Sequence, residues 1–306
     1  MMNRKRVAFR PLVVVLALIL APWCASAQDE PFRMSSLHPV GHDEARLRAL
    51  ADALAFATWP RPEARFVAPA IDRTVLAQPD LVTDSSQACT TVAFDDGLWG
   101  RCDWSWRQVR RGREKDRAQV LGNISVVVVL SPGAAAAQEY LLARLAENML
   151  PIDGLLATYE GAEKPVGLGD VAYHLTFRDG SDERLHLVRN NVYVGVRAEG
   201  ALASESMSIA RAIDAKVVSQ QPLTYEQLVI RRPTVSLDRP GAGGMGYRVR
   251  AHAGQRVVTT VARINGRQVS VSQNRVPLPD REDGLEVEVI TITNELLVGT
   301  SSKRLP

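Results

Sequence analysis

The chain has few cysteines, little excess charge and no long apolar segment. It contains 3 cysteines among 306 residues, and its 37 basic residues nearly balance its 34 acidic ones. The apolar run at residues 12–21 is shorter than the ~20 residues that a membrane-spanning helix needs. These absences argue against a nucleic-acid partner and against stable membrane insertion of the mature protein.

Motifs of common enzyme classes are also missing. The sequence has no GxSxG, HExxH, Walker or EF-hand pattern. A glycine-rich stretch at residues 241–246 resembles a phosphate loop, but neither a lysine nor a helical pattern follows it. From these patterns we predict no catalytic residue, no metal site and no cofactor, and we interpret the stretch as a loop between strands.

The N-terminus has the three parts of an export signal. Basic residues within residues 4–10 precede the apolar run at 12–21, and the small residues Ala25, Ser26 and Ala27 follow. We expect cleavage after Ala27 and a periplasmic or secreted protein, the alternative being an uncleaved N-terminal anchor. Without these 27 residues the chain keeps 33 basic and 34 acidic residues, which leaves it close to neutral.

Two cysteines remain after signal cleavage. Cys89 and Cys102 form an even pair, which in an oxidising compartment predicts a structural disulfide. Metal binding and a redox pair are the alternatives, but the spacing fits neither a CxxC motif nor a ligand set with histidine. The disulfide would stabilise the fold by roughly 3 kcal/mol, mainly by restricting the unfolded chain.

The pattern of apolar residues predicts an α+β domain followed by an all-β domain. Residues 120–130 (VLGNISVVVVL) are typical of a central strand, and the alternation of Cys102, Trp104 and Trp106 indicates a strand buried on one face. Short connections favour an antiparallel sheet with helices on one face. We place the signal peptide at 1–27, a flexible mature N-terminus at 28–42, the α+β domain with one disulfide at 43–219, a linker at 220–227 and a β-sandwich domain at 228–306.

The last of these segments shows no helical pattern and many turn signals. About seven short strands alternate with turns from Leu228 onward, and Asn265-Gly266 between apolar runs is typical of a β-hairpin. The segment therefore predicts a small sandwich, and we interpret Leu228–Arg231 as its first strand.

Two segments resemble known extracytoplasmic domains. The C-terminal part, with Ala253–Gln255 before a long strand, resembles bacterial immunoglobulin-like domains. Gly167–His174 (GLGDVAYH), together with Cys102–Trp104, is similar to the LGD-x-A segment of small domains in bacterial lipoproteins and in mycobacterial kinase sensors. These resemblances imply extracytoplasmic binding or sensing, and they carry over no catalytic residue.

Five residues are candidates for a binding site. His174 and His186 fall on strands expected to pair, and with Asp170 and Tyr173 they offer a hydrogen-bonding set. Trp99, in a turn, is the tryptophan most expected to be exposed for stacking. The simpler interpretation is that the histidines are surface residues and the carboxylate binds nearby backbone amides.

The function expected from these observations is binding, sensing or assembly in the cell envelope, without catalysis. The partner would be an envelope protein or a cell-surface component. The alternative is an exported hydrolase or metal-dependent enzyme that uses His174, His186 and Asp170.

Overall fold

A computed structural model describes most of the chain beyond the N-terminus. The described residues are 44–62, 65–71, 84–111, 118–150, 163–177, 180–241, 243–279 and 284–306, and they all belong to one compact unit. The predicted signal peptide and mature N-terminus lie outside these residues.

The first part of the described chain is built on a six-stranded antiparallel sheet. Its strand order is β1-β2-β3-β6-β5-β4, so β3, predicted as a central strand, has a neighbour on each side. The strands are β1 (Asp84–Phe94), β2 (Gly97–Arg111), β3 (Ala118–Leu130), β4 (Val171–Thr176), β5 (Asp182–Arg189) and β6 (Val192–Gly200).

Side-chain alternation explains how this sheet is buried. Cys102, Trp104 and Trp106 of β2 share one face and are at most 6% exposed, as their spacing predicts. The last residues of β3, Val128, Val129 and Leu130, are buried on both faces, which explains why that segment reads as a continuous apolar run.

Helices cover both faces of the sheet, so the prediction of helices on one face is wrong. Adjacent residues of a strand point to opposite faces, and Arg184 and Glu183 of β5 contact different helices. The Arg184 guanidinium donates to Asn148 on the helix Ala134–Met149, and Glu183 accepts from Ser206 on the helix Ser206–Val218. The helices are α1 (Glu44–Ala53), α2 (Ala134–Met149) and α3 (Ser206–Val218). α1 lies on the same side as α2, where the carbonyl of Leu54, the residue after α1, accepts from Tyr173.

A short helix stands where the sequence predicted a linker and a strand. α4 (Tyr225–Ile230) begins with a capping box in which Thr224 and Gln227 each bond the other's backbone N–H. The predicted strand at Leu228–Arg231 is therefore wrong. Leu228 is the residue that α4 buries.

The C-terminal part consists of two antiparallel sheets that share a core. One has the order β10-β9-β12-β13 and the other β11-β8-β7. Val235, Met245, Ala262 and Val287 are among the buried residues between them. The strands are β7 (Thr234–Gly241), β8 (Gly244–Arg250), β9 (Val257–Ile264), β10 (Arg267–Val269), β11 (Arg275–Val276), β12 (Glu286–Thr293) and β13 (Val298–Arg304).

Two details of the C-terminal turns bear on the sequence predictions. Asn265-Gly266 connects β9 to β10 with positive φ at both residues, as predicted for a tight hairpin. The glycine-rich stretch is not a long loop, because Gly241 ends β7 and Gly244 begins β8. The architecture as a whole is a sheet-rich α+β fold with antiparallel sheets.

The two parts of the chain are in direct contact. Ile290, Ile292 and Val298 on the outer face of the larger C-terminal sheet form a buried cluster that packs against Cys89 and Leu98 of the six-stranded sheet. The predicted division into domains at 43–219 and 228–306 stays a prediction. None of the described helices is long and apolar enough to cross a membrane.

Candidate binding cleft

The disulfide joins β1 to β2 beside the contact between the two parts of the chain. Cys89 is directly opposite Cys102 in the strand register, and their sulfur atoms lie 1.98 Å apart. Cys102 is 1% exposed, whereas Cys89 is half-buried. The predicted disulfide pair is therefore present, and one of its two residues is partly exposed.

A cleft of about 460 Å³ opens next to Cys89. One wall is the segment Gln87–Thr91 of β1, and the other is the segment Val258–Val261 of β9. Its volume falls within the range of roughly 300–1,000 Å³ that is usual for ligand sites. Because five consecutive residues of β1 line it, while side chains alternate between faces, the cleft runs along the backbone edge of the strand.

The lining of the cleft combines an apolar floor with hydrogen-bonding side chains. Ile290 and Ile292 of β12 are at most 2% exposed and form the apolar part. Thr259 and Gln268 add a hydroxyl and an amide. The charged residue of the lining is Arg263, whose guanidinium lies 3.3 Å from Glu288. This lining favours an uncharged ligand held by apolar contact and hydrogen bonds.

The geometry of the disulfide shows which backbone groups of β1 point toward the cleft. Directly opposite residues of antiparallel strands lie ~5.5 Å apart at Cα where they exchange hydrogen bonds and ~4.5 Å where they do not. Cys89 and Cys102 are 4.1 Å apart at Cα, so they form a non-hydrogen-bonded pair. The backbone N–H and C=O of Cys89 therefore point away from β2, and those of Gln87 and Thr91 do the same because the pattern repeats every two residues.

Trp99 is buried, contrary to the prediction that it is exposed. Its ring is 1% exposed and lies under the guanidinium of Arg232 at 4.4 Å. Its indole N–H donates to Asp96 Oδ1 at 2.8 Å. Trp99 thus packs against Arg232 of the segment after α4. The next residue, Gly100, donates from its backbone N–H to the Leu296 carbonyl, in the turn between β12 and β13.

Asp170 belongs to an ion-pair network between strand ends and α3. Its Oδ1 accepts from Arg189 at 3.0 Å, and its Oδ2 accepts from the backbone N–H of Asn190 at 2.6 Å. Arg189 also makes two hydrogen bonds of 2.8 Å to Asp214. The Asp170 carboxylate does bind a backbone amide, but that amide belongs to the turn between β5 and β6. Through Arg189 and Asp214, the network holds α3 against the sheet.

His186 is part of a buried polar cluster under α2. Its Nδ1 lies 2.7 Å from the Tyr193 hydroxyl, and its Nε2 lies 3.5 Å from Asn148 Nδ2. Burial, together with the nearby guanidinium groups of Arg184 and Arg144, lowers the pKa of His186 to about 3. The imidazole is therefore neutral at physiological pH, and burial also raises the pKa of Tyr193.

His174 and Tyr173 occupy opposite faces of β4. His174 Nε2 lies 3.3 Å from Glu183 Oε2 on the side of α3. Tyr173 is 1% exposed and donates from its hydroxyl to the Leu54 carbonyl at 3.2 Å on the side of α1. Because the strand register places Tyr173 opposite His186, the two histidines point to opposite faces of the sheet.

The candidate residues from the sequence are thus distributed over several places. Trp99, Asp170 and the two histidines do not converge, and no group of three or more metal-ligating side chains occurs among the residues described. Sequence reasoning missed the cleft, since its walls are separated by about 170 residues of chain. One local signal of the cleft was present in the sequence, because Ser85–Phe94, which includes the wall formed by β1, contains no charged residue.

Comparison of the chain with protein-family models, with curated protein sequences and with solved structures gives no match.

Proposed function

We propose that the mature protein is an exported, non-enzymatic envelope protein that binds a partner in the cleft between β1 and β9. The observation that carries the proposal is the cleft itself, which combines an apolar floor at Ile290 and Ile292 with the polar backbone edge of β1. Binding sites typically have this composition, in which apolar contact supplies affinity and a few polar groups fix orientation.

The chemistry of the lining supports binding rather than catalysis. A hydrolytic site needs a nucleophile or an activated water next to a general base. The cleft lining contains threonines, glutamines, a disulfide-bonded cysteine and an ion-paired arginine, and neither histidine nor a carboxylate stands among these residues. The cleft is therefore suited to recognise a partner.

The site of action in this proposal is the periplasm or the exterior. The export pattern ending at Ala27 supports it, and so does the disulfide, since such bonds persist in oxidising compartments. The finer description of the C-terminal part as an immunoglobulin-like sandwich belongs to the same proposal. It is supported by two antiparallel sheets around one core.

The test of binding is site-specific photo-cross-linking in the cells that produce the protein. A benzophenone amino acid replaces Thr90, an exposed residue of the cleft, and in a control it replaces Arg211, an exposed residue of α3. We expect a discrete adduct of higher mass from Thr90 and none from Arg211. Equal labelling at both positions, or no adduct at either, would contradict the proposal.

A cleft-filling variant sharpens this test. Thr259→Trp places a bulky ring in the cleft, and Ser236→Trp places the same ring on an exposed position of β7 as the matched control. The Thr90 adduct should disappear with Thr259→Trp and persist with Ser236→Trp. Mass spectrometry of the mature N-terminus and osmotic-shock fractionation test export, for which we expect Gln28 as the first residue and recovery outside the cytoplasm.

A further inference from the structure

The edge of β1 lacks the features that usually prevent strand edges from pairing with other chains. Proteins protect such edges with charged residues, proline, bulges or short length. β1 is 11 residues long and its register with β2 has no shift. Apart from Asp84 at its first position, β1 has neither charge nor proline. Its residues Ser86, Gln87, Ala88 and Thr90 are exposed.

The other sheet edges among the described strands are protected. At the far edge of the six-stranded sheet, the backbone of Glu163 exchanges two hydrogen bonds with His174 of β4. In the C-terminal sheets, β10 and β11 have three and two residues. β7 carries Asp238, Arg239 and Pro240 and has a register shift, and the Lys303 side chain of β13 donates to the Asp238 carbonyl. Apart from residues 258–261 of β9, which form the other wall of the cleft and are not paired with β10, β1 is thus the exception.

The unprotected edge lies along the cleft. Backbone groups of Gln87, Cys89 and Thr91 point away from β2 by the Cα spacing at the disulfide, and the same three residues line the cleft. Strand β10 pairs with Ala262, Arg263 and Ile264 of β9. The opposite wall, residues 258–261, therefore lies beyond the end of that pairing.

We propose that the ligand of the cleft is an extended, uncharged segment of a partner polypeptide that adds to the six-stranded sheet as a strand beside β1. This inference rests on the proposed function, because it names the ligand class of the same cleft. Backbone hydrogen bonds to Gln87, Cys89 and Thr91 supply affinity, as in other cases of strand addition. Five residues of β1 offer about 17 Å of edge at ~3.3 Å per residue.

The side chains of the added strand alternate between two environments. Those on one face contact Ile290 and Ile292, which favours apolar residues at every second position. Those on the other face lie toward the exposed residues of β1. The ion pair between Arg263 and Glu288 leaves no unbalanced charge at the rim, so the cleft gives no preference to a charged segment.

A second copy of this chain fits the cleft less well than a free segment. The exposed edge of the copy would be its own β1, and that edge carries the same wall of residues 258–261 beside it. Direct pairing of two β1 strands would bring the two walls into the same space. A single extended segment has no such wall and matches a cleft of about 460 Å³.

The experiment uses the full mature chain and a displayed library of linear peptides of random sequence. Peptides enriched on the wild-type protein but not on Thr259→Trp are synthesised, and their affinities are measured by calorimetry. Each peptide is then N-methylated at one backbone position at a time, which removes one donor and leaves the side chains unchanged. We expect a loss of about tenfold or more at every second position, because only alternate amides face β1.

Variants of β1 test the protein side of the same hydrogen bonds. Gln87→Pro removes an outward N–H without removing a bond to β2, and we expect it to weaken the enriched peptides about tenfold. Gln87→Ala keeps that N–H and should leave the affinity within about twofold of wild type, which separates backbone from side-chain effects. Equal thermal midpoints of the two variants show that Gln87→Pro has folded, and in the event of misfolding the N-methyl scan decides alone.

The outcomes distinguish this inference from the proposed function. Peptides that lose binding with Thr259→Trp but respond equally to N-methylation at every position would overturn strand addition and leave binding in the cleft intact. If peptides bind Thr259→Trp as tightly as wild type, or if no peptide is enriched, the ligand of the cleft is not an extended peptide. Cross-linking at Thr90 would then still test whether the cleft binds a partner. A wild-type dimer that Gln87→Pro converts to a monomer would replace the partner segment with a second copy.

Discussion

Replacing His186 by glutamine should make the protein less sensitive to acid. The imidazole is 6% exposed and lies 2.7 Å from the Tyr193 hydroxyl, under α2. Burial is the main cause and the charges of Arg184 and Arg144 add to it, and together they lower the pKa of His186 to about 3. Glutamine has no titrating group in this range but retains a donor and an acceptor for the cluster.

The sign of the effect follows from proton binding. Between pH 6.5 and 3 the unfolded chain protonates His186 and the folded protein does not, so stability from this residue falls as the pH falls. The slope is about 1.4 kcal/mol per pH unit. Between pH 7.5 and pH 4.5 the wild type should therefore lose about 3 kcal/mol through His186 alone, and His186→Gln should lack that loss.

The assay is urea unfolding of both proteins at pH 7.5 and at pH 4.5, followed by tryptophan fluorescence. His186→Gln is expected to be less stable than wild type at pH 7.5, since glutamine fits the site less well. At pH 4.5 the difference in free energy of unfolding between the two proteins should become smaller or change sign. Carboxylates affect both proteins alike and cancel in the difference. If the difference in free energy of unfolding between the two proteins is the same at both pH values, the imidazole is not held neutral by burial.

Three further predictions concern the disulfide, the contact of Gly100 with Leu296 and the cap of α4. Reducing the disulfide between Cys89 and Cys102 should lower the free energy of unfolding by about 3 kcal/mol, and an unchanged urea midpoint in reductant would refute this. Gly100→Ala places a Cβ 2.2 Å from the Leu296 carbonyl oxygen. The clash should push the turn between β12 and β13 away from β2, so limited proteolysis should cut faster around Leu296, whereas an unaltered digest would contradict the close approach. Thr224→Ala removes the cap of α4 at a cost of about 1 kcal/mol and should lower the melting temperature by about 2 °C. An equal melting temperature would count against the capping box.

Much of the sheet structure was predictable because the relevant signals are local. Residues 257–264 are rich in β-branched side chains and end at Asn265-Gly266, and the structure has a strand with those bounds. The hairpin of β4 and β5 and the burial of Trp104 and Trp106 follow from the two-residue period. Patterns of this kind report which residues share a face, and neighbouring strands then pair through short turns.

One short helix, and the faces of the sheet that the longer helices cover, were not predicted, for two physical reasons. α4 is six residues long and buries Leu228, so it has too little apolar periodicity to reveal itself, and its signal was the capping pair Thr224 and Gln227. The faces that α2 and α3 cover depend on how the chain crosses the sheet. Their sequences show that each has an apolar side but not which face of the sheet that side meets.

The candidate site depended on register, which the sequence did not determine. The prediction that the strands of His174 and His186 pair is confirmed, but the register sets Tyr173 opposite His186. A shift of one residue moves a side chain to the other face, which is why the two imidazoles are separated by the sheet. The cleft depends on the contact of β1 with a sheet formed much later in the chain, and no local pattern reports such a contact.

Hydrogen exchange of the β1 amides tests the central claim most directly. In the free protein, NMR should show fast exchange at Gln87, Cys89 and Thr91, which point to the cleft, and slow exchange at Ala88 and Thr90, which bond to β2. Addition of an enriched peptide should slow the first three amides and leave the other two unchanged. Equal protection of all five amides in the free protein, or no added protection with peptide, would contradict an open strand edge that receives a partner.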